Sequence, residues 1–199
     1  MIKNYKKFLE FIEQKLEGFF ENQKDYIFCK KGCAKCCKNA QFPYSLIEVT
    51  YLLQGALELD EALQEKIKAN ILTLKEKYKN CSEGAFLYDC PFLIDDVCSV
   101  YNYRGIVCRT FGLITKNPLS DSEKLKIPFC HKIGLNYSNV TDVEHCEITP
   151  EKYLQSGIKE EPHGYNISYE FLTNSDFERG FNFKFGEKKA LVEWLKDFK

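Results

Sequence analysis

The sequence lacks any long apolar run and carries almost no net charge. No stretch approaches the ~20 apolar residues that a membrane span needs, so we expect no transmembrane segment. The formal net charge is only −1, whereas binding to nucleic acid or to an anionic membrane surface favours a clear basic excess. We therefore expect neither nucleic acid nor a membrane as a partner. Arginine is scarce, since Arg104, Arg109 and Arg179 are the only three.

Signs of export and of a disulfide scaffold are missing too. Charged residues interrupt every apolar stretch near the N-terminus, so there is no signal-peptide core. Ten cysteines in 199 residues fall below the roughly 8–10% that is typical of small disulfide-rich domains. These features predict a cytoplasmic protein, in which thiols stay reduced and clustered thiols usually bind metal.

What is present is a composition suited to one folded domain. Hydrophobic residues make up 44% of the chain and aromatic residues 15%, which allows a substantial core in a single domain over 1–199. Apolar residues three and four positions apart predict flanking amphipathic helices over 1–23 and 186–199. The cysteine-rich region between them runs over 29–131.

Local signals predict the elements of this central region and of the C-terminal part. Ser45-Leu-Ile-Glu48 has the form of a capping box at the start of a helix. The other expected elements are a helix after Asp60, a hairpin turning at Asp95-Asp96, a helical turn over Tyr101–Arg104, a helix from Thr149-Pro150 to Gly157, and a strand over Tyr165–Leu172. The predicted fold is mainly α with one or two small β-hairpins (α+β, irregular), wrapped around a cysteine-rich metal core.

The densest group of cysteines is the run Cys29-Lys-Lys-Gly-Cys33-Ala-Lys-Cys36-Cys37. Thiolates are soft ligands, and gaps of two or three residues let one loop offer several sulfurs to one ion or cluster. Gly32 suits such a loop because glycine adopts backbone angles that a Cβ forbids. This run predicts a metal or redox site.

Several motifs resemble the bacterial cysteine-cluster proteins of YkgJ type, the CxxxCC family described as zinc- or iron-chelating. They are the cysteine run itself, Cys90-Pro-Phe-Leu, and Cys98-Ser-Val-Tyr-Asn-Tyr-Arg104-Gly-Ile-Val-Cys108-Arg109-Thr-Phe111. The resemblance covers roughly residues 29 to 131 and implies a metal and a fold region, not a reaction. One departure is Gly105, where the family pattern has proline after the arginine.

The candidate metal ligands are eight cysteines, which permit two four-cysteine sites or one site with spare thiols. They are Cys29, Cys33, Cys36, Cys37, Cys90, Cys98, Cys108 and Cys130. Adjacent Cys36 and Cys37 are awkward ligands for one ion, since successive side chains point apart, and His131 is an alternative ligand to a sulfur. Four thiolates around a divalent ion leave a charge of −2 that needs compensation, which Arg104 and Arg109 could supply from either side of Cys108.

The spacing does not separate zinc from iron or a [4Fe-4S] cluster, because all accept cysteine ligands. The first hypothesis is an accessory or metal-handling protein that binds zinc, with iron or iron–sulfur as the alternative. The second is a cluster-dependent enzyme such as a radical S-adenosylmethionine-like methyltransferase, since Cys29, Cys33 and Cys36 match that spacing. The third is a thiol redox protein that uses Cys36 and Cys37. Whether the chain is an enzyme, and which protein partner it has, is left open.

Overall fold

The structure is a computed structural model that describes residues 1–30, 32–39, 41–81, 86–120 and 125–197. Helices dominate these residues. The α-helices are α1 (Ile2–Asn22), α2 (Leu46–Leu57), α3 (Glu61–Lys79), α4 (Ile106–Thr110), α5 (Pro150–Ser156), α6 (Tyr169–Leu172), α7 (Ser175–Phe181) and α8 (Leu191–Leu195). Short 3₁₀ helices cover Lys24–Tyr26, Cys37–Asn39, Tyr101–Tyr103 and Phe129–Ile133.

The strands are short and form two-stranded sheets. They are β1 (Pro43–Ser45), β2 (Leu93–Ile94), β3 (Val97–Cys98), β4 (Thr115–Lys116), β5 (Thr141–Asp142), β6 (Glu147–Ile148), β7 (Tyr165–Asn166) and β8 (Lys188–Ala190). The pairs β1–β8, β2–β3 and β5–β6 are antiparallel, and β4–β7 is parallel. The prediction of a mainly helical chain with small β elements is confirmed.

The chain divides into two compact units. Unit 1 comprises Met1–Ile2, Gly32–Cys108 and Phe183–Lys199, and unit 2 comprises Lys3–Lys31 and Arg109–Asn182. Among the described residues, no helix is both long and apolar enough to cross a membrane.

Local signals set the first elements of unit 1. Glu48 accepts a hydrogen bond from the Ser45 backbone N–H at 2.8 Å, so the predicted capping box at the start of α2 is confirmed. Asp60 caps α3 by accepting the Leu63 N–H at 2.9 Å. Both caps satisfy backbone donors that have no partner within the helix.

The β2–β3 hairpin turns through Asp95 and Asp96, as predicted. Both residues have positive φ, 50° and 61°, which is the conformation that a tight two-residue hairpin loop requires. Leu93 lies opposite Cys98 in the register of this pair. The hairpin therefore places Cys98 on the strand that leads back toward Val100.

A continuous hydrophobic cluster forms the core of unit 1. Its fully buried members include Val49 and Leu52 of α2, Ile71 of α3, and Leu191 of α8. Cys90, Cys98 and Cys108 are partly buried and pack against this cluster. The thiols thus lie at the edge of an apolar core, where water is scarce.

Unit 2 is built on aromatic packing around α1. Phe8 of α1 contacts the rings of Phe177 and Phe181 at centroid distances of 5.3 Å. A second cluster contains the stacked rings of Tyr26 and Tyr137, 5.6 Å apart. The helix predicted over 1–23 is confirmed by α1, whose buried face makes these contacts.

Two C-terminal predictions need correction. The alternating pattern of Tyr165–Leu172 predicted one strand, but only Tyr165–Asn166 is extended and α6 begins at Tyr169. Ser168 ends the strand because its hydroxyl accepts the Phe171 N–H and caps α6. The helix expected over 186–199 begins only at Leu191, since Lys188–Ala190 pair with β1, and residues 198–199 lie outside the described ranges.

Candidate metal centre

The two units divide the candidate ligands between them. Unit 1 contains Cys33, Cys36, Cys37, Cys90, Cys98 and Cys108, whereas unit 2 contains Cys29 and Cys130. All ten cysteines fall within the described ranges, and none forms a disulfide. The sequence alone treated the eight candidates as one set, and the structure assigns six of them to unit 1.

The cysteine loop of unit 1 turns tightly. Gly32 has a φ of +91°, which confirms that this position needs glycine for its backbone angles. The Cys37 and Lys38 N–H groups both donate to the Ala34 carbonyl at 3.0 Å as the chain enters its 3₁₀ turn. The Cys37 carbonyl in turn accepts the Cys90 N–H at 2.8 Å, so the loop is tied directly to the segment before β2.

Cys36 and Cys37 do not point apart as their adjacency suggested. Their sulfur atoms are 3.9 Å apart, because the backbone turns into the 3₁₀ helix at Cys37 instead of running extended. Two thiolates on one tetrahedral zinc, with Zn–S bonds near ~2.3 Å, are separated by about 3.8 Å. The geometry of this pair is therefore compatible with two ligands of the same ion.

Five thiols of unit 1 form what we call the thiol cluster: Cys36, Cys37, Cys90, Cys98 and Cys108. Within it, the charge of one thiolate shifts the pKa of others. Cys36, Cys90, Cys98 and Cys108 interact in this way in every pairing. Cys33 is half-buried and makes no hydrogen bond or ion pair with any described residue.

Burial keeps most of the cluster protonated. It is the main cause that raises the pKa of Cys90 and Cys98, and that of Cys108 to about 12, with neighbouring thiolates adding to the effect on Cys90 and Cys108. The hydrogen bond between Cys36 and Cys37 lowers the pKa of Cys36 to about 7 and raises that of Cys37. A cation would reverse this balance, because several buried thiolates are tolerated only beside positive charge.

The described side chains do not form a complete set of metal ligands. No three Cys, His, Asp or Glu side chains in the described ranges form a group that could hold a metal ion as they stand. The thiol cluster supplies sulfur donors of the kind that soft metals prefer, but in the described arrangement they do not form a metal site.

A cleft gives the cluster a route to solvent. Its volume is about 600 Å³, and Cys90 lines it together with residues of α3 and of the β2–β3 hairpin. Lys38 and Asp96 lie on the cleft wall and form an ion pair at 2.5 Å. Cys90 is the cluster thiol that this cleft reaches.

The two candidate arginines have different surroundings. Arg104 lies over the ring of Tyr101, 3.8 Å from its centroid, and its charge favours the thiolate of Cys98. Arg109 is only 5% exposed and forms an ion pair with Glu13 of α1. The role predicted for Arg104 and Arg109, compensation of the charge of metal-bound thiolates, stays a prediction.

In unit 2, Asn136 holds the segment that carries Cys29. The amide oxygen of Asn136 accepts the N–H groups of Phe28 and Cys29 at 3.0 and 2.8 Å. The amide nitrogen donates to the Gly112 carbonyl at 2.9 Å. Cys29 itself is exposed.

His131 is the other unusual residue of unit 2. It follows buried Cys130, is 2% exposed, and neither ring nitrogen has a hydrogen-bond partner among the described residues. Burial lowers its pKa, so the ring is neutral at neutral pH. Whether it binds metal stays a prediction.

Sequence reasoning missed two residues that border the thiol cluster. The hydroxyl of Tyr44 lies 3.2 Å from the Cys108 sulfur. Glu48 is 1% exposed and reaches beyond its own helix to accept the Ile106 N–H at the start of α4, at 2.9 Å. The capping box identified Glu48 as a local group only, and no sequence signal linked Tyr44 to Cys108, which is 64 residues away.

Comparison with protein-family models, curated proteins and solved structures finds no match to this chain. The resemblance to the YkgJ-type proteins stays a prediction from the sequence motifs.

Proposed function

We propose that this chain is a cysteine-ligated metal-binding protein whose site is the thiol cluster of unit 1. In this proposal Cys36, Cys90, Cys98 and Cys108 bind the metal, and Cys37 is a fifth thiol beside them. The observation that carries it is that Cys90, Cys98 and Cys108, from separate chain segments, are partly buried against one apolar core, with the Cys36–Cys37 loop bonded to the Cys90 N–H through the Cys37 carbonyl. Ordinary core packing does not require such a group, since cysteine in a core behaves as an isolated small hydrophobe.

The donor set favours a soft or borderline metal. An all-sulfur set suits zinc and iron–sulfur clusters and excludes hard ions such as magnesium or calcium, which prefer oxygen. Zinc is the first choice, with iron or a [4Fe-4S] cluster as the alternative. An accessory or metal-handling role fits, because the proposal identifies a metal site without a substrate or a reaction.

Anaerobic purification with elemental analysis and a visible spectrum tests the proposal directly. Stoichiometric zinc in a colourless protein supports a zinc site, and a brown protein with sulfur-to-iron charge-transfer absorption supports an iron–sulfur site. A protein that contains neither metal, and that takes up neither zinc nor iron on reconstitution, contradicts the proposal.

Single cysteine-to-serine variants then assign the ligands. Replacing Cys36, Cys90, Cys98 or Cys108 should reduce the bound metal strongly, because serine is a poor ligand for a thiophilic ion. Cys146→Ser is the matched control, since Cys146 lies in unit 2 and its sulfur contacts only the Val143 carbonyl in the described hydrogen bonds. Cys37→Ser tests whether Cys37 is itself a ligand. The variant should keep its metal if Cys37 is only a neighbouring thiol, and lose metal if Cys37 binds it. Equal metal content in all variants would overturn the ligand assignment.

A second candidate function is favoured by the Cys36–Cys37 pair. Their sulfurs are 3.9 Å apart, and the pKa of Cys36 is lowered to about 7 by its hydrogen bond with Cys37. A hydroperoxide could oxidise the pair, taking two electrons and two protons as the S–S bond forms and leaving an alcohol and water. A thiol count that falls by two in the metal-free protein, and is restored by dithiothreitol, would support this redox role. The radical S-adenosylmethionine alternative stays a prediction.

A further inference from the structure

Tyr44 directs a buried hydroxyl at a candidate ligand. Its side chain is 3% exposed, and its oxygen lies 3.2 Å from the Cys108 sulfur. The described residues offer this hydroxyl no other hydrogen-bond partner. A buried tyrosine O–H normally requires a partner, and here that partner is a thiol.

The backbone of Tyr44 is held from two sides. Its carbonyl accepts the Trp194 Nε1–H at 2.8 Å, and β1 pairs with β8 so that Tyr44 lies opposite Lys189. These contacts fix the position from which the ring extends toward α4. The approach to Cys108 is therefore set by the sheet and not by a mobile loop.

Gly105 leaves the space that the Tyr44 ring occupies. A Cβ at position 105 would lie 2.6 Å from Tyr44 Cε1 and 3.0 Å from Glu48 Oε1, and the first distance is shorter than any normal contact between carbon atoms. Proline, which the resembling pattern has here, would bring such a Cβ. The departure at Gly105 and the Tyr44–Cys108 contact are thus parts of one arrangement.

Glu48 fixes the distance between the two elements involved. Its carboxylate accepts hydrogen bonds from the Ser45 N–H and hydroxyl, at 2.8 and 2.7 Å, and from the Ile106 N–H at 2.9 Å. Ser45 follows Tyr44, and Ile106 begins the helix that carries Cys108. One buried carboxylate therefore connects the residue after Tyr44 to the first residue of the helix that carries Cys108.

We propose that Tyr44 is a positioning residue of the metal centre, whose O–H donates a hydrogen bond to the metal-bound sulfur of Cys108. The inference rests on the proposed function. The two atoms lie 3.2 Å apart, and a metal-bound sulfur would carry no proton, so the Tyr44 hydroxyl would be the donor of this contact. The bond holds the Cys108 rotamer and withdraws electron density from the thiolate, which makes the sulfur a weaker donor.

Cobalt(II) loaded into the metal-free protein is the probe, because its sulfur-to-cobalt charge-transfer band reports thiolate donor strength. In Tyr44→Phe the band should move to lower energy, because the sulfur loses the hydrogen bond that withdraws electron density from it. Tyr26→Phe is the matched control. Tyr26 is equally buried, but it lies in unit 2 and its hydroxyl donates to the Glu160 carbonyl at 2.6 Å instead of contacting a sulfur.

Two further variants keep the test decisive. Gly105→Ala should shift the band in the same direction by displacing the Tyr44 ring, and adding it to Tyr44→Phe should give little further shift, since both act through one contact. If Tyr44→Phe fails to fold, 3-fluorotyrosine at position 44 is the substitute. It keeps the ring and makes the hydroxyl a stronger hydrogen-bond donor, so the band should move to higher energy.

The outcomes separate this inference from the proposed function. If the unmutated protein binds cobalt with a charge-transfer band and Tyr44→Phe gives the same band energy as Tyr26→Phe, the positioning role is wrong and the proposed metal site is unaffected. If the unmutated protein gives no sulfur-to-cobalt band, both are wrong.

Discussion

The two units use cysteine in different ways. In unit 1 Cys90, Cys98 and Cys108 pack against an apolar core, and burial is the main cause that raises the pKa of all three. In unit 2 the backbone N–H groups of Phe28 and Cys29 donate to the amide oxygen of Asn136. The thiols of unit 1 are therefore kept protonated by their surroundings, whereas the segment that carries Cys29 is held by ordinary hydrogen bonds.

The dense cysteine run is divided between the two units. Cys29 and Cys36 are seven positions apart, yet Cys29 belongs to unit 2 and Cys36 to the thiol cluster. The cluster gains members from distant segments instead, through the β2–β3 hairpin and α4. Packing in three dimensions, and not spacing along the chain, decides which thiols lie against the same core.

The largest expected effect is on the stability of unit 1 when metal is removed. The proposed ligands join three separate segments, so the free energy of metal binding contributes to folding. We expect a strong chelator, used anaerobically, to lower the melting temperature by more than about 10 °C. Calorimetry with and without the chelator measures this, and adding zinc back should restore the transition. If the chelated protein has lost its metal and its melting temperature is unchanged, metal does not stabilise unit 1 and this prediction is wrong.

The second prediction concerns unit 2 alone. Asn136 is 1% exposed, and Asn136→Ala leaves two backbone N–H groups and the Gly112 carbonyl without their partner. Of these three hydrogen bonds, only the one to the Gly112 carbonyl is buried, and a buried group left unsatisfied costs about 1–3 kcal/mol. We therefore expect a loss of about 1–3 kcal/mol in unfolding free energy, with the metal content of the folded protein unchanged.

Asn166→Ala is the control for this substitution, because the side chain of Asn166 is exposed and such changes usually stay within about 0.5 kcal/mol. Urea unfolding and elemental analysis of both variants give the two readouts. Loss of metal from folded Asn136→Ala would show that the metal site is not confined to unit 1.

The third prediction is a pH dependence in the metal-free protein. The thiolate is the reactive form, and the hydrogen bond with Cys37 lowers the pKa of Cys36 to about 7. Alkylation of Cys36 should therefore rise with pH around 7. Cys90 and Cys108 should stay at least about 10-fold slower there, because burial raises their pKa. Mass-spectrometric mapping of iodoacetamide labelling across pH measures each site.

Cys37→Ala sharpens that experiment. Removing Cys37 removes the hydrogen bond that lowers the pKa of Cys36, so the pH at which Cys36 begins to react should move upward. A pH profile that is the same in Cys37→Ala and in the unmutated protein would mean that the pair does not share a proton.

The smallest effect is expected for Arg104. Its charge favours the thiolate of Cys98, but its side chain is only half-buried and solvent screens part of the interaction. Arg104→Gln should keep its metal on purification and lose it a few-fold faster to a chelator, within the range of about 10-fold or less expected for a partly screened group. Arg179→Gln is the control, since Arg179 is exposed and pairs with Asp176 in unit 2. Equal exchange rates would place Arg104 among surface groups without influence on the site.

Local signals allowed several elements to be predicted from the sequence. The capping box at Ser45, the cap at Asp60, the Asp95-Asp96 hairpin and the helix after Pro150 all appear where their residues indicated. Each depends on hydrogen bonds or backbone angles within a few residues, so the local sequence is sufficient to predict the element. The same holds for Gly32, whose positive φ is a local requirement.

The site was predictable only as a set of residue types. The sequence identified thiols as donors and the metals that suit them, because that chemistry belongs to the side chain alone. It did not indicate that Cys36 and Cys37 approach each other, nor that Tyr44 contacts Cys108 and Glu48 holds the start of α4. Nor did it show that Lys188–Ala190 pair with β1 in place of continuing a helix.

Those features depend on the tertiary structure for one physical reason. A hydrogen bond or a close contact between residues 64 or 58 positions apart forms only after packing has fixed both segments. The conformational preferences of neighbouring residues do not determine the distance between such segments. The amino-acid sequence by itself determined α1, α2, α3 and α5, the turn chemistry and the supply of thiols. Burial and the packing of α2, α3, α8 and the β1–β8 pair decided which thiols lie against the same apolar core.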